Sequence, residues 1–121
     1  MNTYTIALAI RLKRKVFRAK NIPRDVIRLT RIYLEKEGKE LLDYKFYDYG
    51  FVVCIKCKNN EQPEKVAAGI RKETSRPIRS MYPELWSMPS LWNSRPLVVE
   101  GGMTDENMET VQKYYDSLKS R

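Results

Sequence analysis

The 121-residue chain contains no histidine. That excludes catalysis by a histidine-centred triad and any metal site built on imidazole. Cysteine is nearly as scarce, with Cys54 and Cys57 forming a single C-x-x-C in Cys54-Ile55-Lys56-Cys57. The pair lies in a strand-like run, where residues three apart point to opposite faces, and no second C-x-x-C completes four ligands. Both are read as reduced thiols in a core strand, behaving as small hydrophobes. Long apolar runs are also missing: none approaches the roughly 20 residues needed to cross a bilayer. Met1-Asn2-Thr3-Tyr4 lacks a basic segment followed by an apolar one, so a cytoplasmic protein is expected. Repeats and low-complexity tracts are absent, and the length predicts one domain over residues 1–121.

Positive charge is what the chain has in excess. The formal net charge is +8, and Arg11, Lys13, Arg14, Lys15, Arg18, Lys20, Arg24, Arg28 and Arg31 face only Asp25 within their stretch. Nine bases minus one acid is again +8, so this segment carries the equivalent of the whole excess. A concentrated basic region suits a polyanion, because each phosphate neutralised releases condensed counterions. A solvated basic face or an anionic-membrane contact is the plainer reading.

Periodicity orders the elements. Tyr4 to Leu12 is a strand with Ile6, Leu8 and Ile10 on one face. Pro23 sits in the first turn of a helix carrying Val26, Leu29 and Tyr33 until Gly38 stops it, and Arg24, Arg28 and Arg31 form a separate stripe at i, i+4, i+7. Leu41 to Lys58 holds two strands with a break at Asp48 to Gly50. Pro63 opens a second helix that Pro77 is expected to end or kink, Pro96 to Glu100 is a short strand, and Thr104 caps a last helix. The predicted class is α+β: a ferredoxin-like β-α-β-β-α-β antiparallel sheet with helices on one face, plus a C-terminal helix. The open sheet face would then be a platform for a nucleic-acid strand.

Several stretches, in order, carry a family likeness. Tyr4-Thr-Ile-Ala-Leu-Ala-Ile-Arg-Leu-Lys-Arg-Lys-Val-Phe17, Pro83-Glu84-Leu85, Leu91-Trp92-Asn93-Ser94-Arg95, Gly101-Gly102 and Glu109-Thr110-Val111-Gln112-Lys113-Tyr114 together resemble the insertion-sequence-200-like single-tyrosine transposases of the HUH nuclease superfamily. The resemblance implies a homodimer that cuts and rejoins single-stranded or hairpin DNA through a tyrosine. It also implies a divalent metal such as Mg or Mn, held by two histidines and a glutamine. The histidine positions fall on Tyr49 and Phe51, and the glutamine position on Leu118. No metal site is therefore expected, and loss of metal-dependent cleavage follows from the donors. Tyr114 occupies the nucleophile position, read as vestigial. Met108, Val111, Tyr115 and Leu118 at 3-4-3 spacing make Tyr115 a buried residue and leave Tyr114 about 100° around the helix.

The expected phosphate contacts are Arg11, Lys13, Arg14, Lys15 and Arg18, with Arg24 and Arg28 on the first helix. A rival reading takes Tyr49-Gly50-Phe51-Val52 as part of an RNA-recognition signature, with Tyr49 and Phe51 on one strand face as stacking residues. A third class is a protein-interaction domain anchored by Trp86 and Trp92.

Overall fold

The computed structural model of the protein describes residues 2–119. Four strands, β1 (Asn2–Ala9), β2 (Glu40–Phe46), β3 (Gly50–Cys57) and β4 (Leu97–Glu100), form one sheet in the order β2-β3-β1-β4. Every neighbouring pair is antiparallel. Helices α1 (Asn21–Lys36) and α2 (Pro63–Met81) connect β1 to β2 and β3 to β4, each stepping over one intervening strand, and α3 (Asp105–Ser117) follows. This is the ferredoxin-like plan with a C-terminal helix.

The alternation of β1 and β3 divides the core. Ile6 and Leu8 pair with Val53 and Phe51 and face α1 and α2, meeting Ile22, Val26 and Leu34 of α1 and Val66, Ala67, Ile70 and Ile78 of α2. Ala7 and Ala9, with Val52, form the other face, where their small side chains let Val111 and Tyr115 of α3 come close. The second face is thus covered by α3 at its centre and is not the open platform that the element order suggested. Cys54 and Cys57 follow the same alternation: Cys57 belongs to the α1–α2 core, and Cys54 lies on the other side, under Gly102. Burial raises both thiol pKa values, which keeps them protonated.

Two boundaries differ from the periodicity. β1 stops at Ala9, because Ile10 forms a lone bridge to Trp92 and Leu12 and Lys13 turn into the left-handed region at φ 56° and 55°. Pro77 does not end α2, which runs on to Met81. Burial of Thr74 and Ile78 on the inner side holds that last stretch, and the Arg79 side chain ties it to the Ser75 carbonyl. Gly38 ends α1 with φ +70°, and Thr104 caps α3 by accepting from the Asn107 amide, both as the residue types require. No described helix is long and apolar enough to cross a membrane.

Candidate nucleic-acid interface

The basic stretch after β1 is a compact loop built on two apolar anchors. Val16 and Phe17 are buried, and the Phe17 ring meets Phe46 edge-on at 4.9 Å and Trp92 at 5.8 Å. With these two inside, the neighbouring cations are left outside. The backbone is fastened to the β2–β3 turn, where the Ile10 amide donates to the Tyr49 carbonyl at 2.7 Å and the Phe17 amide to the Asp48 carbonyl at 3.0 Å. On the other side the Arg11 amide reaches the Leu91 carbonyl at 2.9 Å. Left-handed backbone at two consecutive non-glycine residues costs about 1–2 kcal/mol each, and these tethers hold it in place.

The structure brings the loop cations together. Arg14, Lys15 and Arg18 line a 350 Å³ cleft closed by Glu84 and Leu85, and Arg11 and Arg14 line a second cleft of 390 Å³ against Ser87, Met88 and Pro89. Arg18 donates to Asp48 at 3.0 Å, with both side chains more than half exposed, so the pair orients the guanidinium more than it stabilises the fold. Lys13 lies over the Tyr49 ring, 5.4 Å from its centroid. Arg24 and Arg28 are placed differently, since both approach buried Asp25, at 3.8 and 3.6 Å, and Asp25 also accepts from the Tyr82 hydroxyl. Their charge, like that of Arg18 beside Asp48, is partly answered within the protein.

Tyr49 and Phe51 do not form a stacking pair. Phe51 is 0% exposed, stacked on Phe46 at 4.4 Å and facing Trp92 at 6.3 Å, so neither of its ring faces is available to a base. Tyr49 precedes β3, in the turn, and meets Tyr115 edge-on at 5.6 Å. Strand alternation does not govern a turn residue, which is why the i, i+2 inference fails. Between them, a Cβ on Gly50 would lie 2.6 Å from Cζ and Oη of Tyr115, so that space already belongs to α3. Trp92 is likewise internal, its indole N–H donating to the Thr74 hydroxyl at 2.8 Å, and is no interface anchor.

The metal positions implied by the resemblance offer no site. A phenyl ring enclosed by aromatics and the partly buried Leu118 have no donor atoms. Among the described residues no three Asp, Glu, Cys or His side chains group to hold an ion. The residues present do not fit the metal.

Tyr114 and Tyr115 separate as their helical positions demand. Tyr115 is buried and its hydroxyl donates to the Leu8 carbonyl at 3.0 Å. Tyr114 is half-buried and its hydroxyl donates to the Arg95 carbonyl. Burial pushes the Tyr114 phenol up to about 12, against a smaller opposing effect of the Arg71 charge. At pH 7 the phenol is then protonated. A backbone carbonyl accepts the hydrogen bond and cannot take the proton, so the surroundings do not activate this hydroxyl for attack.

A second basic surface lies on α2 and went unread in the sequence. Arg71 and Lys72 line a 280 Å³ cleft with Ser75, Ser90 and Ser94, and Arg76 and Arg79 line one of 430 Å³ with Ser80 and Trp86. Lys72, Arg76 and Arg79 repeat the i, i+4, i+7 spacing of Arg24, Arg28 and Arg31, which is the signal that could have found them.

No protein-family model matches the chain, and no curated protein sequence matches it. Solved structures do. A candidate transposase from Deinococcus radiodurans R1 superposes with a TM-score of 0.88 at 14% identity, over 98% of this chain and 92% of that one. A REP-associated tyrosine transposase bound to a REP hairpin superposes with a TM-score of 0.53 at 11% identity. That match covers 94% of this chain but 64% of the other, so the chain spans under two thirds of that protein's length. The four-stranded antiparallel sheet with its three helices, the C-terminal one included, is therefore the fold of the Deinococcus structure.

Proposed function

We propose that the protein is a transposase-like binder of single-stranded or hairpin DNA, acting in or derived from DNA transposition, as a homodimer that does not carry out metal-dependent cleavage. The observation that carries this reading is the loop of Arg11, Lys13, Arg14, Lys15 and Arg18, whose cations are turned outward by the buried Val16 and Phe17 and held by tethers at both flanks. A pre-formed row of cations loses little freedom on meeting a phosphate backbone. Similarity to a transposase bound to a hairpin supports DNA as the polyanion. The loss of cleavage rests on chemistry: the two positions with no donor atom, and a phenol held protonated, leave phosphoryl transfer without a Lewis acid or a ready nucleophile. The RNA-platform reading loses its second aromatic to the core.

The test is competition of a labelled DNA hairpin against RNA of the same sequence and against random duplex, at two salt concentrations. The hairpin DNA should compete best. Replacing Arg14 and Lys15 by alanine should lower affinity and flatten the salt dependence by about 0.7 per lost contact on single strands. Equal affinity for all three competitors would reduce the loop to a nonspecific basic face. A covalent adduct through Tyr114 formed with added Mg or Mn would overturn the inactive assignment.

A further inference from the structure

Among the described residues Trp86 is the most exposed of the large apolar side chains, at 66%, yet it is not loose. Its indole N–H donates to the Ser80 carbonyl at 3.1 Å, and the segment that carries it is pinned by Leu85 and Met88, both buried. Beside it, Arg79 is fixed by its own bonds, to the Ser75 carbonyl at 3.3 Å and the Met88 carbonyl at 3.0 Å. Arg76 completes the cleft, and among the described residues no carboxylate lies within ion-pair distance of it. The indole is thus held in one orientation beside two guanidinium groups, with its apolar surface open to a flat partner.

We infer that Trp86, with Arg76 and Arg79, is a stacking subsite for an unpaired nucleotide flanking the DNA held by the basic loop. Two observations favour a nucleotide over a second copy of the chain. The cleft lining is cationic without an acid, which suits a base stacked on the indole with its phosphate on Arg76 and disfavours a like-charged copy of a protein of net charge +8. Continuity is the other: one short segment, residues 84–89, borders this cleft through Trp86 and the two loop clefts through Glu84, Leu85, Ser87, Met88 and Pro89, so the indole adjoins the ground assigned to the bound strand. The inference rests on the DNA-binding reading of the loop.

The experiment compares a blunt DNA hairpin with the same hairpin carrying an unpaired tail, using wild type and Trp86→Ala. Trp92 is buried, so acrylamide quenching of the intrinsic fluorescence reports mainly on Trp86. The tailed hairpin should shield Trp86 from acrylamide and the blunt one should not. Trp86→Ala should weaken tailed binding about 5- to 150-fold, the range for one lost base stack, with Trp86→Phe retaining part of it and blunt binding changing less than twofold. Equal tailed affinity of wild type and Trp86→Ala would overturn the subsite while leaving the loop reading intact. Failure of the wild type to bind either hairpin would overturn both. A Trp86→Ala variant whose main change is a smaller sedimenting species would assign the indole to a protein partner instead.

Discussion

The two faces of the sheet meet the same three residues, Tyr49-Gly50-Phe51, and treat them in opposite ways. On the α1–α2 side Phe51 is closed into an aromatic stack with Phe46 and Trp92, where almost every contact is apolar. On the α3 side the space above Gly50 is filled by Tyr115, ringed by Tyr47, Tyr49 and Tyr114, and the hydroxyls of the two α3 tyrosines end on backbone carbonyls. One face is held by dispersion and desolvation, the other by packing with hydrogen bonds threaded through it. Phe51 and Leu118 thus lie against opposite faces of the sheet, so two of the positions that the resemblance would give to metal ligands do not converge on one site.

That contrast can be broken from either side. Phe51→Ala should have the largest effect, lowering stability by about 3–5 kcal/mol in urea unfolding, because an enclosed ring leaves a cavity that flat aromatic neighbours cannot close. Gly50→Ala should cost about 1–3 kcal/mol, since the added methyl meets the stiff Tyr115 ring at 2.6 Å. A Gly50→Ala protein as stable as wild type would mean that α3 shifts freely and the second face is loosely packed. Tyr115→Phe keeps the ring and removes only the bond to the Leu8 carbonyl, for a loss of about 0.5–1.5 kcal/mol.

The smallest effect is one of alkaline pH. Tyr114 has its folded pKa raised from 10 to about 12, so its contribution is intact below pH 10 and is lost as pH rises from 10 through about 12. Absorbance titration of tyrosinate should lose one component near pH 12 in Tyr114→Phe, while Tyr115, raised further by its deeper burial, stays protonated in both proteins. If that variant titrates like wild type, the Tyr114 hydroxyl is more open to water than its contact with the Arg95 carbonyl implies.

Much of this was legible in the sequence because it follows from local rules. Alternation along Ile6-Ala7-Leu8-Ala9, the glycine after α1 and the threonine before α3 each act over a few residues, and each gave its element. The 3-4-3 spacing of Met108, Val111, Tyr115 and Leu118 sorted the two adjacent tyrosines correctly. Of the end or kink expected at Pro77, the end does not occur, because burial of Thr74 and Ile78 holds the helix on either side of the missing N–H. The stacking pair misled because strand alternation does not reach Tyr49, which lies in the break at Asp48 to Gly50.

What the chain determined alone is its basic loop, its element order and the absence of imidazole, all of which are properties of composition and short-range spacing. What only the tertiary structure decided is which aromatics are covered. Phe51 and Trp92 look as available as Trp86 in the sequence, yet two are buried and one stands in water. Burial is set by neighbours that arrive from residues 17, 46 and 74, and no local pattern carries the distance between them.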